Sequence, residues 1–375
     1  MLVRIVSDWD SSGLLRQTPG GAGMWDGICF TTRPVEECDL LVMLNNRKLD
    51  PASARCAPGN VWAIMQEPYV PGLYDWLRDG HEPYARVFTH LIPSEDPKYV
   101  PSQPALPWGV GLTYDELMAT GVPEKTRGVS WIASNLTFLP GHRRRAALRR
   151  YLLDQAPDLV DLFGRGVRWV PRKWDALAPY RFSLAIENSV GPHLWTEKVA
   201  DCFLAWTVPL YFGCTNLEQY FPEDSFLRVD ADNPAAVCAT LGKLRESNEW
   251  ERRLPALEVA RRLVLGEYQI FPWLARAINT YGLDPGPAAA IHIPGYRWRR
   301  WRHRLRYLRR KIRAGEAADL VNVLQQSQVY LVVRCLTGCL PLVPASWSGT
   351  AGWSRTAARP EWLRGSSKRC GKTTR

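Results

Sequence analysis

Two short polar clusters carry the residue types that could do chemistry here. Glu187 and Asn188 close the apolar run FSLAI at 182–186, and Thr196, Glu197 and Lys198 follow soon after. A carboxylate, an amide, a helix-capping threonine and a lysine set this close together suit a nucleotide diphosphate. Lys198 can meet phosphate charge, and Thr196 can cap the helix that Glu197 opens. The backbone N–H groups of that helix start add the positive end of its dipole. Glu197 or Glu187 can take hydroxyls of a ribose or a sugar. Each residue also has a plainer role. A lysine in a first helical turn is often solvated, a glutamate there is favoured by the dipole, and an asparagine after a strand can satisfy its own backbone in a turn.

These residues need strands and helices to hold them. In the first third, short apolar runs at Leu2–Val6, Cys38–Leu44 and Val61–Met65 end in Ser7-Asp8, Asn45-Asn46 and Gln66-Glu67-Pro68. Such runs are expected to be buried parallel strands, and ligands of open parallel sheets meet the loops at strand C-termini. Residues 97–127, rich in Pro, Gly and Tyr, read as a passage between domains. A second set of strands follows at Val129–Ala133, Leu159–Phe163, Phe182–Ile186, Val208–Phe212 and Leu227–Val229. Helices are expected over Arg143–Leu153, Glu197–Leu204, Glu249–Gly266 and Tyr268–Tyr281. Strands alternating with helices predict an α/β protein with two doubly wound sheets. There is no GxGxxG, no GxxxxGK[ST] and no internal repeat. The nearest approach to a membrane span, Val329–Trp347, is interrupted by Arg334 and broken by two prolines, Pro341 and Pro344.

The 375 residues are 46% hydrophobic and 23% charged, which excludes a wholly disordered, collagenous or coiled-coil chain. Nine cysteines are too sparse for a disulfide scaffold. Cys335 and Cys339 have no partners for zinc, and Cys202 and Cys214 sit in apolar surroundings that suit core packing. His142 and the other histidines form no ligand cluster, so no metal site is expected. The net charge of +11 comes from one end: residues 291–375 hold 18 of the 48 basic and 3 of the 37 acidic residues. That stretch, RWRRWRHRLRYLRRKIR at 297–313, places Trp298, Trp301, Leu305 and Leu308 within a run of arginines. It reads as a basic amphipathic helix suited to an anionic membrane surface. A solvated arginine-rich helix and nucleic-acid binding through the tail are the competing readings. Residues 346–375 are expected to be disordered. Met1 leads into no basic-then-apolar stretch, so a cytoplasmic protein without a signal peptide is expected, peripheral at the inner membrane face.

The run SLAIENS…TEKVADCFLAWTVPLYFG resembles the donor-binding motif of family 10 glycosyltransferases, the α-1,3/1,4-fucosyltransferases. SWIASN at 130–135, LFGRG at 162–166 and the lead-in KWDALAPYRF resemble bacterial members, as do IVSDWD and VWAIMQEP in the first domain. The resemblance covers about residues 1–285. It implies a GT-B fold, two Rossmann-like domains facing a cleft. Residues 1–125 would bind the acceptor, 126–285 would bind the GDP-sugar donor, and 286–375 would form the basic tail. It implies an inverting transfer of L-fucose from GDP-fucose to a hydroxyl of a GlcNAc- or Gal-containing glycan, such as a surface polysaccharide, with no cofactor and no essential metal. A GT-B transferase using another nucleotide sugar, a catalytically dead glycan-binding relative, and a nucleic-acid-binding protein are the alternatives.

The resemblance also assigns residues. Lys198 would meet the diphosphate and Glu197 the ribose hydroxyls, with Glu187 and Asn188 contacting the donor. Arg145 matches the family's arginine before its helix, although Arg143 and Arg144 adjoin it and leave the register open. Glu67, closing the VWAIM strand, would be the general base, with Asp8 and Asp10 as weaker candidates for that role or for acceptor hydroxyls. Where the family commonly has a tyrosine, three residues before the TEK glutamate, this chain has Leu194. His193 and Trp195 flank it and can substitute.

Overall fold

The structure is a computed structural model that describes residues 1–46, 50–71, 73–164 and 166–295. The first sheet is built from β1 (Leu2–Ser7), β2 (Met24–Trp25), β3 (Ile28–Thr31), β4 (Leu40–Leu44), β6 (Val61–Ile64), β7 (Arg86–Thr89) and β8 (Tyr99–Pro101). Its order is β2-β3-β1-β4-β6-β7-β8. Every pairing is parallel except β2 with β3. The reason lies in the sequence: β4 (LLVML) and β6 (VWAI) are buried at every position, as parallel strands covered on both faces must be.

The second sheet takes β9 (Arg127–Ile132), β10 (Asp161–Phe163), β11 (Tyr180–Gly191), β12 (Val208–Cys214) and β13 (Leu227–Arg228). Its order is β10-β9-β11-β12-β13, all parallel. The helices α2 (Pro140–Gln155), α3 (Glu197–Leu204), α4 (Pro234–Leu244) and α5 (Glu249–Leu263) accompany it. Cys202 and Cys214 are buried in its core. Two α/β sheets in succession, parallel but for β2 with β3, make this the GT-B architecture that the resemblance implies.

The passage between domains begins with β8, which joins the first sheet, and then holds a short helix, α1 (Tyr114–Ala119), with a Thr113–Glu116 capping box. This segment touches both sides. Gln66 Nε2 donates to the Pro104 carbonyl at 3.1 Å, and the Gly109 N–H donates to Asp201 Oδ1 at 2.7 Å.

The chain then returns to its beginning. The helix α6 (Ile270–Tyr281) packs on the first sheet, with Phe271 edge-on to Phe30 and Trp273 edge-on to Phe88. A last strand, β14 (Ala289–Ile293), pairs antiparallel with β5 (Ala52–Cys56). Sequence reading gives residues through 285 to the second domain and the rest to the tail, yet the packing of α6 and β14 is with the first. An apolar helical face shows that a partner is needed without showing which sheet supplies it. The expected amphipathic helix at 297–313, the segment 346–375 and Cys335 and Cys339 lie outside the described residues. Among the described residues, no helix is long and apolar enough to cross a membrane.

Candidate active site

The C-terminal ends of β6 and β11 open onto one small cavity of about 200 Å³. Gln66, Glu67, Pro68 and Leu106 line it from the first side, and Glu187, Asn188, Thr196, Glu197 and Lys198 are among its lining residues on the second. Strand C-termini are where open α/β sheets hold ligands. A larger cavity, about 490 Å³, lies at the opposite edge of the second sheet beside the first residues of β9, β10 and β11. None of the residues singled out by sequence lines it, and its arginines 127 and 181 are paired with Asp161 and Glu251.

On the first side, the loop before Glu67 is fixed by its neighbours. The Gln66 N–H donates to Asn45 Oδ1 at 2.8 Å, and Trp9 Nε1 donates to Gln66 Oε1 at 3.2 Å. Asp8 accepts a hydrogen bond from Asn45 Nδ2 at 3.0 Å, and Asp10 accepts the Ser12 N–H at 3.0 Å in an exposed turn. Neither Asp8 nor Asp10 lines the cavity; Glu67 does.

On the second side, Glu187 organises the start of α3. Its carboxylate accepts both the N–H and the hydroxyl of Thr196, at 2.9 and 2.8 Å, and pairs with Lys198 Nζ at 3.1 Å. Thr196 in turn caps the helix by accepting the Lys198 N–H at 3.3 Å. The Glu187 side chain reaches this place across β12, where Gly213 has φ of +152° and a Cβ would overlap the Glu187 stem. Gly141, in the first turn of α2, meets the backbone of Asn188 so closely that a side chain there has no room.

Charge alternates through the site. Lys198 Nζ lies 3.6 Å from Glu197 Oε1, and Lys173 Nζ lies 3.8 Å from that same oxygen and 2.8 Å from Asp201 Oδ2. Burial lifts the pKa of Glu187, with Lys198 opposing it. Burial likewise works against charge on Lys198, but Glu187 and Glu197 outweigh it and raise that pKa. Burial pushes Glu197 up, while Lys198 and Lys173 prevail and bring it down to about 2. Lys198 and Glu197 are therefore both ionised at neutral pH.

The structure separates the three arginines of α2. Arg143 donates to the Phe138 carbonyl, and Arg144 pairs with Asp232 at 2.6 Å. Arg145 is buried and reaches Ser134 Oγ at 3.5 Å; burial lowers its pKa, while Glu187 and Glu197 favour its charge. Arg145 Nε and Asn188 Oδ1 are buried without a hydrogen-bond partner. Asn188 lines the cavity and Arg145 does not; a buried acceptor left in this condition at the cavity wall has capacity for a polar ligand. His142 is buried too, edge-on to Phe138, its pKa lowered to about 4 by burial and then by Arg145 and Lys198.

Leu194 itself lines the cavity. Trp195 does not take its place: the ring is buried among Tyr220, Phe221 and Tyr268. His193, with φ of +60°, turns to Tyr220, its Nδ1 2.6 Å from the hydroxyl. Sequence reading also passes over Lys173 and Asp201. The lysine opens the lead-in KWDALAPYRF, well before the TEK run, and only its ion pairs reveal its place. Among the described residues, no group of three or more His, Cys, Asp or Glu is placed to hold a metal ion.

Residues 122–253 match the model of the C-terminal region of glycosyltransferase family 10 (fucosyltransferase). Through this segment the chain is similar to glycosyltransferase family 10. All the residues just described on the second sheet fall inside the family 10 match, whereas Glu67 lies outside it. Among curated relatives, the chain is 38% identical over 111 residues to 4-galactosyl-N-acetylglucosaminide 3-alpha-L-fucosyltransferase FUT6 of Pongo pygmaeus, covering 28% of this chain and 30% of that enzyme. It is 37% identical over 111 residues to 3-galactosyl-N-acetylglucosaminide 4-alpha-L-fucosyltransferase FUT3 of Homo sapiens, covering 28% and 29%. The match thus spans less than a third of the length of these relatives. A solved alpha1,3-fucosyltransferase with GDP-fucose is 16% identical with a TM-score of 0.41, over 72% of this chain and 92% of that one.

Proposed function

We propose that this chain is an inverting glycosyltransferase that moves L-fucose from GDP-fucose to a hydroxyl of a GlcNAc- or Gal-containing glycan. The observation that carries the reading is the shared cavity, which sets Glu67 of the first sheet opposite Glu187, Glu197 and Lys198 of the second. Single displacement needs a base on one side of the reacting carbon and charge stabilisation on the other. In this reading the acceptor oxygen attacks the anomeric carbon of the donor and its proton passes to the Glu67 carboxylate. The bond to the diphosphate oxygen breaks, and the electron pair leaves with GDP. Lys198, Arg145 and the N–H groups opening α3 take up the charge that develops there. Glu197, kept ionised by its two lysines, accepts hydrogen bonds from the hydroxyls of the nucleotide ribose, and Asn188 Oδ1 accepts one further hydrogen bond from the donor. These steps use only this chain's side chains and backbone.

Calorimetric titration with GDP, GDP-fucose, GDP-mannose and UDP-sugars tests the reading, with Lys198→Ala as control. GDP and GDP-fucose are expected to bind the parent chain and to lose affinity for the variant. Binding of a different nucleotide would overturn the donor assignment and direct attention to Leu194, which lines the cavity where relatives commonly have tyrosine.

A further inference from the structure

Lys173 begins a one-turn helix at Lys173–Ala176 between β10 and β11. Its ammonium joins two carboxylates of α3, Asp201 at 2.8 Å and Glu197 at 3.8 Å. These stand four residues apart, so both project from one face of the helix. Asp201 is 2% exposed, and its other oxygen accepts the Gly109 N–H at 2.7 Å. Gly109 belongs to the segment between the sheets, and a Cβ there would come 2.7 Å from Lys173 Nζ and 3.1 Å from Asp201 Oδ2. The Trp174 N–H donates to the Val110 carbonyl at 3.1 Å, which fixes the same turn to the same segment. Thus a buried ion pair, a backbone hydrogen bond and the bare α-carbon of a glycine meet at one point. That point touches the back of Glu197, whose neighbour Lys198 forms the cavity wall with it.

We propose that Lys173 is a positioning residue of the donor site: it holds the Glu197 carboxylate in place and, through Asp201 and Gly109, couples that placement to the segment joining the two sheets. The inference rests on the reading of Glu197 as a donor ligand and extends it. Lys173 does not line the cavity and is no substitute for Lys198. The charged groups around Glu197 are Lys198 and Asp201 on its own helix, Lys173 from the one-turn helix, Glu187 from β11 and Arg145 from α2, with Glu67 across the cavity. Without Lys173, Glu197 keeps one adjacent cation and its protonation moves toward neutral pH.

The test compares GDP binding by calorimetry from pH 4.5 to 8 for the full parent chain, Lys173→Met, Lys173→Arg and the double variant Lys173→Met/Asp201→Asn. The double variant leaves no unpaired buried carboxylate, so it stays informative where Lys173→Met alone fails to fold. GDP affinity at neutral pH is expected to fall roughly ten-fold in the methionine variants. The acid limb of binding should move to higher pH, and Lys173→Arg should restore most of the loss. Unchanged affinity and pH profile in the double variant, with the parent chain binding GDP, would overturn the inference and leave the donor reading intact. An equal loss at every pH that arginine does not repair would also overturn it, by showing a merely structural lysine. A parent chain that binds no GDP would bring down the donor reading, and this inference with it.

Discussion

Lys198 Nζ lies 3.1 Å from Glu187 Oε2, and the Glu187 side chain is 2% exposed. The lysine proposed to meet the donor is therefore also the counterion of a buried carboxylate. Lys198→Ala is expected to weaken GDP binding and, separately, to cost about 3–5 kcal/mol of stability at neutral pH, because Glu187 is left buried without its cation. Burial already raises the pKa of Glu187, and losing the lysine raises it further. An acid whose pKa is higher folded than unfolded favours folding below its unfolded pKa and loses that advantage as pH rises. The stability deficit of the variant should consequently grow between pH 4.5 and 7.5. Thermal melts of both chains across that range check it, and a deficit independent of pH would contradict the assignment.

Glu197 gives the opposite dependence. Its pKa, brought to about 2 by Lys198 and Lys173 against burial, lies below the ordinary 4.5. Its contribution is present above the unfolded pKa and is lost as pH falls toward 2. The side chain is 30% exposed, so the stabilisation is discounted to about 1–2 kcal/mol. Glu197→Gln should be less stable than the parent at pH 7, and the two should converge on acidification. Chemical denaturation at pH 7 and pH 3 measures the difference.

Glu67→Gln separates chemistry from donor binding. The change removes the proton acceptor and preserves the shape of the cavity wall. Turnover with GDP-fucose and acceptor is expected to fall by about 10²–10⁴-fold. GDP affinity, which depends on the second sheet, should hold within about two-fold, a difference of less than half a kcal/mol. Loss of GDP binding in this variant would instead place Glu67 among the donor contacts.

Two glycines predict opposite outcomes for the same substitution. Gly141 faces the Asn188 backbone with no space for a Cβ, so Gly141→Ala must push α2 away from β11. A cost of about 1–3 kcal/mol is expected, with weaker GDP binding because Arg145 and Asn188 shift together. Gly242 lies in α4 with nothing near its Cβ direction, and Gly242→Ala should stabilise by about 0.5–1 kcal/mol through helix propensity. Paired denaturation curves decide both.

Much of this site is legible in the sequence because its parts are local. Residues 182–198 carry strand, turn, cap and helix start in one stretch, and α3 begins at the Glu197 that Thr196 predicts. Apolar runs buried on both faces, such as β4 and β6, also declare themselves. Weaker strands do not. β5 (ASARC) alternates small buried and polar exposed residues, and its partner β14 is supplied from the far end of the chain. Lys173 is invisible for a related reason: its meaning comes from Asp201 and Gly109, and no spacing rule joins three such distant positions. The choice among Arg143, Arg144 and Arg145 likewise needs the rotation of α2 against β11, which a helix with an arginine-rich first half does not reveal.

The return of α6 to the first sheet bears on how the chain is made. Ile270, Phe271, Leu274 and Ile278 belong to the same core as Val3, Ile5 and Leu40. A ribosome delivers these residues only after the whole second sheet has emerged, so the first sheet waits, its α6-facing side uncovered, while its neighbour folds. Domains usually complete in order of synthesis. Here the half that is made first can close its core only after α6, at Ile270–Tyr281, has been made.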